Sequence, residues 1–243
     1  MLFPVGDEDH PRRRHGRPWL TWTLMLLNGA VFLLLQLPHE EIIYGYSFIP
    51  YELTHGVDLR KPILITDPVS GQELELPQHA GPRPIALTLI TALFLHGDLW
   101  HLLGNLLFLW IFGDNIEFAL GRIRYGIFYL ACGIAGLLVQ WGIDPESPVP
   151  VLGASGAISG LMAAYFVFFP LNRIRLLVAY LIPIRVPAIL LIGIWLYMQF
   201  QAGWGSLRTE ELGGVAYWAH IGGFVFGLWI AIGWRLRGRY YPR

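Results

Sequence analysis

Four polar residues of this chain, Ser155, His220, His101 and Asn105, stand within or at the mouths of apolar runs, and their types suit a single reaction. Ser155 lies in the stretch Gly153-Ala154-Ser155-Gly156-Ala157-Ile158-Ser159-Gly160, where small residues allow a neighbouring backbone to come close. A serine hydroxyl is a poor nucleophile until a base takes its proton, and His220 is the imidazole on a separate run that can do so. His101 and Asn105 are spaced i, i+4, so they project from one helical face, and both can donate hydrogen bonds. Two convergent donors beside a nucleophile suit an oxyanion hole, where each is worth about 3–4 kcal/mol of barrier. A helix opening at Ser155 adds free N–H groups and a positive dipole end. A lone serine at a helix mouth more often packs or bonds to its own backbone. The other three residues change that balance.

The elements that must position these groups are membrane spans. An apolar fraction of 55%, a mean hydropathy of +0.50, ten Trp and one Lys among 243 residues are unlike a soluble domain. The apolar runs predict an all-α polytopic membrane protein with spans at 19–37, 99–112, 124–141, 155–169, 188–201 and 217–234. Gly113-Asp114-Asn115 is expected to end the second. Residues 1–18 read as a flexible basic cytoplasmic tail, 38–95 as a long outer loop, and 235–243 as a second basic tail. The run Ile85–Leu95 within that loop is apolar enough to dip into the membrane interface. Cys132, the lone cysteine, falls in an apolar run and reads as packing.

Charge placement fixes the orientation. With the N-terminus inside, thirteen of the seventeen basic residues lie on the cytoplasmic side, leaving Arg60, Lys61, Arg83 and Arg208 outside. The second, fourth and sixth spans then run inward together, placing His101, Asn105, Ser155 and His220 at matching depth. Polar groups in spans are costly and mark function by default. Asp114 and Glu117 follow Asn105 by nine and twelve residues, at least ~13 Å along a helix, too far to complete a triad. They are expected to cap the cytoplasmic end. The pattern is therefore a Ser155–His220 dyad. Gly223 and Gly227 continue the His220 face and offer a groove for Ser155, Gly156, Ser159 or Gly160. His96 reads as a structural residue tying the first loop to the second span. A metal site from His96, His101 and His220 is disfavoured, since i, i+5 splays the first two apart and no carboxylate shares their depth.

The motifs Gly153-Ala154-Ser155-Gly156, His101-Leu-Leu-Gly-Asn105 and Ala219-His220-Ile-Gly-Gly223-Phe-Val-Phe-Gly227 resemble those of rhomboid intramembrane serine proteases. His96 and Gly113-Asp114-Asn115-Ile116-Glu117 extend the resemblance, which covers 19–234. It implies a six-transmembrane-helix rhomboid-like bundle whose dyad lies below the membrane surface. It further implies a serine endopeptidase that cleaves transmembrane protein substrates, with Ser155 as nucleophile, His220 as base, and His101 and Asn105 as oxyanion donors. Membrane lipid is the other implied partner; no cofactor, metal or nucleic acid is expected. A bacterial cytoplasmic membrane, with both termini cytoplasmic, is the expected setting. Two departures stand out. Ser159 occupies a place where many relatives carry an aromatic ring on the catalytic histidine, so a tyrosine there is expected to be accommodated. The Trp-Arg pair found in the first loop of some members is missing. The competing class, a non-catalytic rhomboid-like protein that binds or extracts membrane segments, lacks the serine or the histidine. This chain has both. A transporter would show inverted repeats and mid-span carboxylates, and the sequence shows neither.

Overall fold

The computed structural model describes residues 2–8, 16–66, 71, 73–179, 181–209 and 214–239. A strand β1 (Leu2–Asp7) precedes the first long helix α1 (Trp19–Gln36), whose last turn and a half, Val31–Gln36, is π-wound. The outer loop holds α2 (Glu41–Tyr46), α3 (Pro50–His55), a hairpin of β2 (Ile63–Thr66) with β3 (Glu73–Leu76), and the short apolar α4 (Ile85–Phe94). Helices α5 (Leu99–Leu120), α6 (Arg122–Ile143) and α7 (Ser155–Phe168) follow. A hairpin of β4 (Arg173–Val178) and β5 (Ile182–Pro187) leads to α8 (Ala188–Thr209) and α9 (Tyr217–Leu236).

Among the described residues α1, α5, α6, α8 and α9 are long and apolar enough to cross a membrane, and α7 is the shorter sixth member of the bundle. The architecture is an all-α polytopic bundle, its short strands confined to the segments outside the long helices. Helix α7 is the axis, packed against α5, α6, α8 and α9, with twelve of its fourteen residues buried. Its fourteen residues span about 21 Å, short of the ~30 Å of bilayer hydrocarbon. Arg235 of α9 donates to the Val167 carbonyl and so levels the C-terminal ends of α7 and α9. At the other end Ser155 meets His220 rather than Tyr217. The first residue of α7 therefore stands about one turn inside the end of α9.

The close packing comes from small residues on three helices. A Cβ on Gly223 would fall on the Gly156 carbonyl oxygen, and one on Gly227 would lie 2.7 Å from the Gly160 Cα. At the same junction, a Cβ on Gly160 would strike Cys132 of α6, which is fully buried. Van der Waals contact and interhelical hydrogen bonds, rather than water exclusion, hold helices together in lipid, so backbone approach of this kind matters.

Two expectations change. Helix α5 continues past Gly113-Asp114-Asn115 to Leu120. Gly113 lets α5 run against α1 and α6, since a Cβ there would lie 2.8 Å from the Tyr125 hydroxyl and 2.9 Å from the Thr21 Cγ2. One turn on, Glu117 accepts from the Leu20 N–H (3.1 Å), the Thr21 N–H (2.8 Å) and the Thr21 hydroxyl (2.8 Å). A carboxylate from α5 thus caps the start of α1, where amides lack intrahelical partners. Residues 2–7 are not a loose tail. They pair antiparallel with β4, and Asp7 is buried, accepting from the Asn115 amide and the Tyr165 hydroxyl. Of the first eighteen residues, 1 and 9–15 lie outside the described part of the chain. The described residues of the outer loop, whose conformation the sequence leaves open, form a hairpin and short helices.

Candidate active site

The segment leading into α7 is clamped from two sides. Phe48 and Val151 exchange backbone hydrogen bonds at 3.0 and 2.7 Å, and the Gly153 N–H donates to the Ala92 carbonyl at 2.9 Å. Farther out, the Tyr51 N–H reaches the Ser147 carbonyl (3.0 Å), the Thr54 hydroxyl that of Pro145 (2.7 Å), and the Gln78 amide that of Pro148 (3.1 Å). The outer loop and α4 together set the start of α7.

Ser155 is half-buried at that start. Its Oγ lies 2.7 Å from the His220 Nε2, a full hydrogen bond between residues 65 apart in sequence. The bond back to the backbone that a serine here was weighed against is made by Ser159 instead, whose hydroxyl donates to the Ser155 carbonyl at 2.7 Å. His220 sits in the first turn of α9. That turn is anchored by the Ala219 N–H donating to Gln140 of α6 at 3.3 Å.

His101 and Asn105 come from the opening turns of α5. Asp98 caps that helix, its carboxylate accepting the His101 N–H at 2.9 Å. The Gly97 N–H donates to the His101 Nδ1 at 3.3 Å, so a neutral His101 carries its proton on Nε2. Gly153, at φ +122°, is what lets that imidazole approach. A Cβ there would lie 2.8 Å from both His101 Cε1 and Nε2, and 3.5 Å from the Ser155 Oγ. The place that a Cβ of Gly153 would take is thus bordered by both the His101 ring and the serine oxygen. The Asn105 Nδ2 is buried and has no hydrogen-bond partner among the described residues, leaving a donor free in the same helix face.

The Rhomboid domain family model matches residues 85–237, well over half of the chain. The chain belongs to the rhomboid family. Rhomboid protein 1, mitochondrial, of Saccharomyces cerevisiae is 30% identical over 153 residues, 61% of this chain and 41% of that protein. Rhomboid-related protein 1 of Caenorhabditis elegans is 31% identical over 140 residues, 56% of this chain and 36% of the relative. Presenilin-associated rhomboid-like protein, mitochondrial, of Bos taurus is 26% identical over 149 residues, 58% and 36% of the two chains. The matches span less than half the length of these relatives. Two of the three are named as mitochondrial, so the expected bacterial membrane draws no support from them.

Within this rhomboid fold, the remaining candidates fall outside the serine's surroundings. The His96 ring packs edge-on against His101 with centroids 5.2 Å apart, and its backbone is held at both polar atoms by the side chain of Gln36 at the end of α1. It ties the loop to α1 through its backbone, while its ring touches α5. Both its ring nitrogens are buried. Glu117 is engaged at α1, and Asp114 accepts from the Asn115 N–H. Neither carboxylate stands among the bonds to His220.

Two contacts to His220 were missed in the sequence. Trp195 of α8 packs on its ring with centroids 6.2 Å apart and planes 33° apart. Gln199, one turn further along α8, places its Oε1 2.7 Å from the His220 Nδ1. The i, i+4 spacing of Trp195 and Gln199 was the available signal, since it puts both on one face of the fifth span.

Proposed function

We propose that this chain is an intramembrane serine endopeptidase that hydrolyses peptide bonds in or near transmembrane segments of other membrane proteins. The observation that carries this reading is the 2.7 Å hydrogen bond between Ser155 and His220, set inside the end of the bundle. The Ser155 hydroxyl attacks the scissile carbonyl carbon while the His220 Nε2 takes its proton. The carbonyl oxygen becomes an oxyanion, which in this reading the His101 Nε2–H, the Asn105 Nδ2 and the α7 amides bind. As the tetrahedral intermediate collapses, the C–N bond breaks and His220 gives its proton to the leaving amine. Water, deprotonated by His220, then cleaves the acyl–Ser155 ester, releasing the acid and restoring the serine. Positions and roles follow residue by residue: Ser155 nucleophile, His220 base, His101 and Asn105 oxyanion donors.

The orientation we propose puts both termini on the side that carries the arginines, with the 38–95 loop opposite. Reporter fusions near residue 145 and after residue 243 should report opposite sides. For the activity, purified protein reconstituted in lipid should cleave a generic single-span substrate, and Ser155→Ala should not. Equal cleavage would overturn Ser155 as the nucleophile, and none by either would favour a rhomboid-like protein that only binds or extracts membrane segments.

A further inference from the structure

A serine–histidine pair works only if the imidazole presents an unprotonated nitrogen to the hydroxyl. Neutral imidazole carries one proton, and which nitrogen holds it is set by the hydrogen bond that the other nitrogen makes. Where a carboxylate fills this role in serine hydrolases, replacing it by an amide that donates to the imidazole, and so yields the wrong tautomer, costs about 10⁴ in kcat. No carboxylate bonds to His220 among the described residues, and the aromatic support expected at position 159 is a serine bonded to its own helix.

We infer that Gln199 is the positioning residue of this site, its side-chain carbonyl accepting the His220 Nδ1–H and so aiming the Nε2 lone pair at Ser155. The geometry is that of a linear relay of three groups from three helices. Gln199 Oε1 on α8 lies 2.7 Å from the His220 Nδ1 on α9, whose Nε2 lies 2.7 Å from the Ser155 Oγ on α7. Trp195, on the same face of α8, restrains the ring from its side and also packs on Phe224, one turn along α9, at 6.2 Å. An amide can hold a tautomer without placing a second charge inside the bundle, where ionised side chains are expensive. Gln199 therefore stands in for the carboxylate, and Trp195 for the stacked aromatic.

This inference rests on the proposed Ser155–His220 chemistry, and its test separates the two. A fluorophosphonate reports the nucleophilicity of Ser155 without requiring a membrane substrate. The full chain in detergent is labelled as wild type, Q199M, Q199L and Q199E, with thermal unfolding measured alongside. Wild type should label at Ser155. Q199M and Q199L, which lack an acceptor, should label and turn over roughly 10²-fold more slowly at unchanged KM, as expected for a misaimed base. Q199E, which restores an acceptor, should recover most of the rate. If neither acceptor-free variant is slower, or if Q199E is as slow as both, Gln199 is packing only and the inference falls alone. If wild type is not labelled, the dyad chemistry falls and takes this inference with it. Should Q199M unfold, Q199L against Q199E decides the matter in the same assay.

Discussion

Gly223 of α9 rests against the carbonyl of Gly156 on α7 with no room between them for a Cβ. Gly156 follows the candidate nucleophile directly, and Gly223 lies one turn beyond His220. The distance from serine to base is thus set by backbone against backbone. Gly223→Val should destroy cleavage and lower the melting temperature, because α9 must move away and ~1 Å of misplacement can cost about a hundredfold. Gly29 of α1 has nothing near the place its Cβ would take, so Gly29→Val should leave both measurements near wild type. An active, stable Gly223→Val protein would refute the packing argument.

Ser155→Ala and His220→Ala should each abolish cleavage, and the double variant should be scarcely worse, because nucleophile and base act as one unit. Cleavage of a reconstituted substrate, with circular dichroism to check folding, is the measurement. Additive losses would mean that the two act separately.

His101→Ala or Asn105→Ala should lower kcat by roughly 10²–10³ with little change in KM, since their bonds strengthen only as the oxyanion forms. A raised KM at unchanged kcat would make them substrate-binding groups instead.

Glu117→Gln should destabilise the bundle by about 1–3 kcal/mol, the usual cost of impairing a buried hydrogen-bonded group. The specific activity of the folded fraction should stay unchanged, because Glu117 serves the start of α1 and not His220. Loss of activity at full stability would revive a triad.

The outer loop should loosen in acid. Burial of the Asp58 side chain opposes its ionisation, but the Gly81 N–H and the guanidinium groups of Arg60 and Arg83 outweigh it and hold its pKa below the ordinary 3.8. A carboxylate held down in this way stabilises the fold above its unfolded value and loses that contribution as pH falls through its folded value. Glu52 has the opposite sign: burial raises its pKa above 4.5, so acid does not cost the fold through this group. Protease resistance of the loop should therefore drop below about pH 4 in wild type. Asp58→Asn should be weaker than wild type at pH 7 and lose the dependence.

The helical scheme and the four-residue constellation were legible because small-residue motifs and intramembrane polar groups leave strong local signals. What the sequence did not reveal was made by contacts with no local period. Gly113-Asp114-Asn115 reads as a helix end, yet α5 continues because Glu117 has the amides of α1 to cap. Residues 2–7 read as tail because their partner strand is some 170 residues away. Many relatives support the catalytic histidine from the place of Ser159, whereas here Trp195 and Gln199 of α8 meet His220, so Ser159→Tyr changes its outlook. Ser159 is only 1% exposed and Trp195 already covers the imidazole, so the larger ring should cost stability unless Trp195 is shortened as well.

Strand β1 also guards the protein against its own copies. β4 lies in the middle of its sheet only because residues 2–7 cover one side; β5 covers the other. Removing those residues would bare a row of unpaired N–H and C=O groups along β4, a ready template for a second chain. It would also leave the Asn115 and Tyr165 groups that meet Asp7 without their acceptor. A chain shortened at its amino end should therefore keep its dyad geometry yet gather into strand-linked aggregates once outside its native membrane.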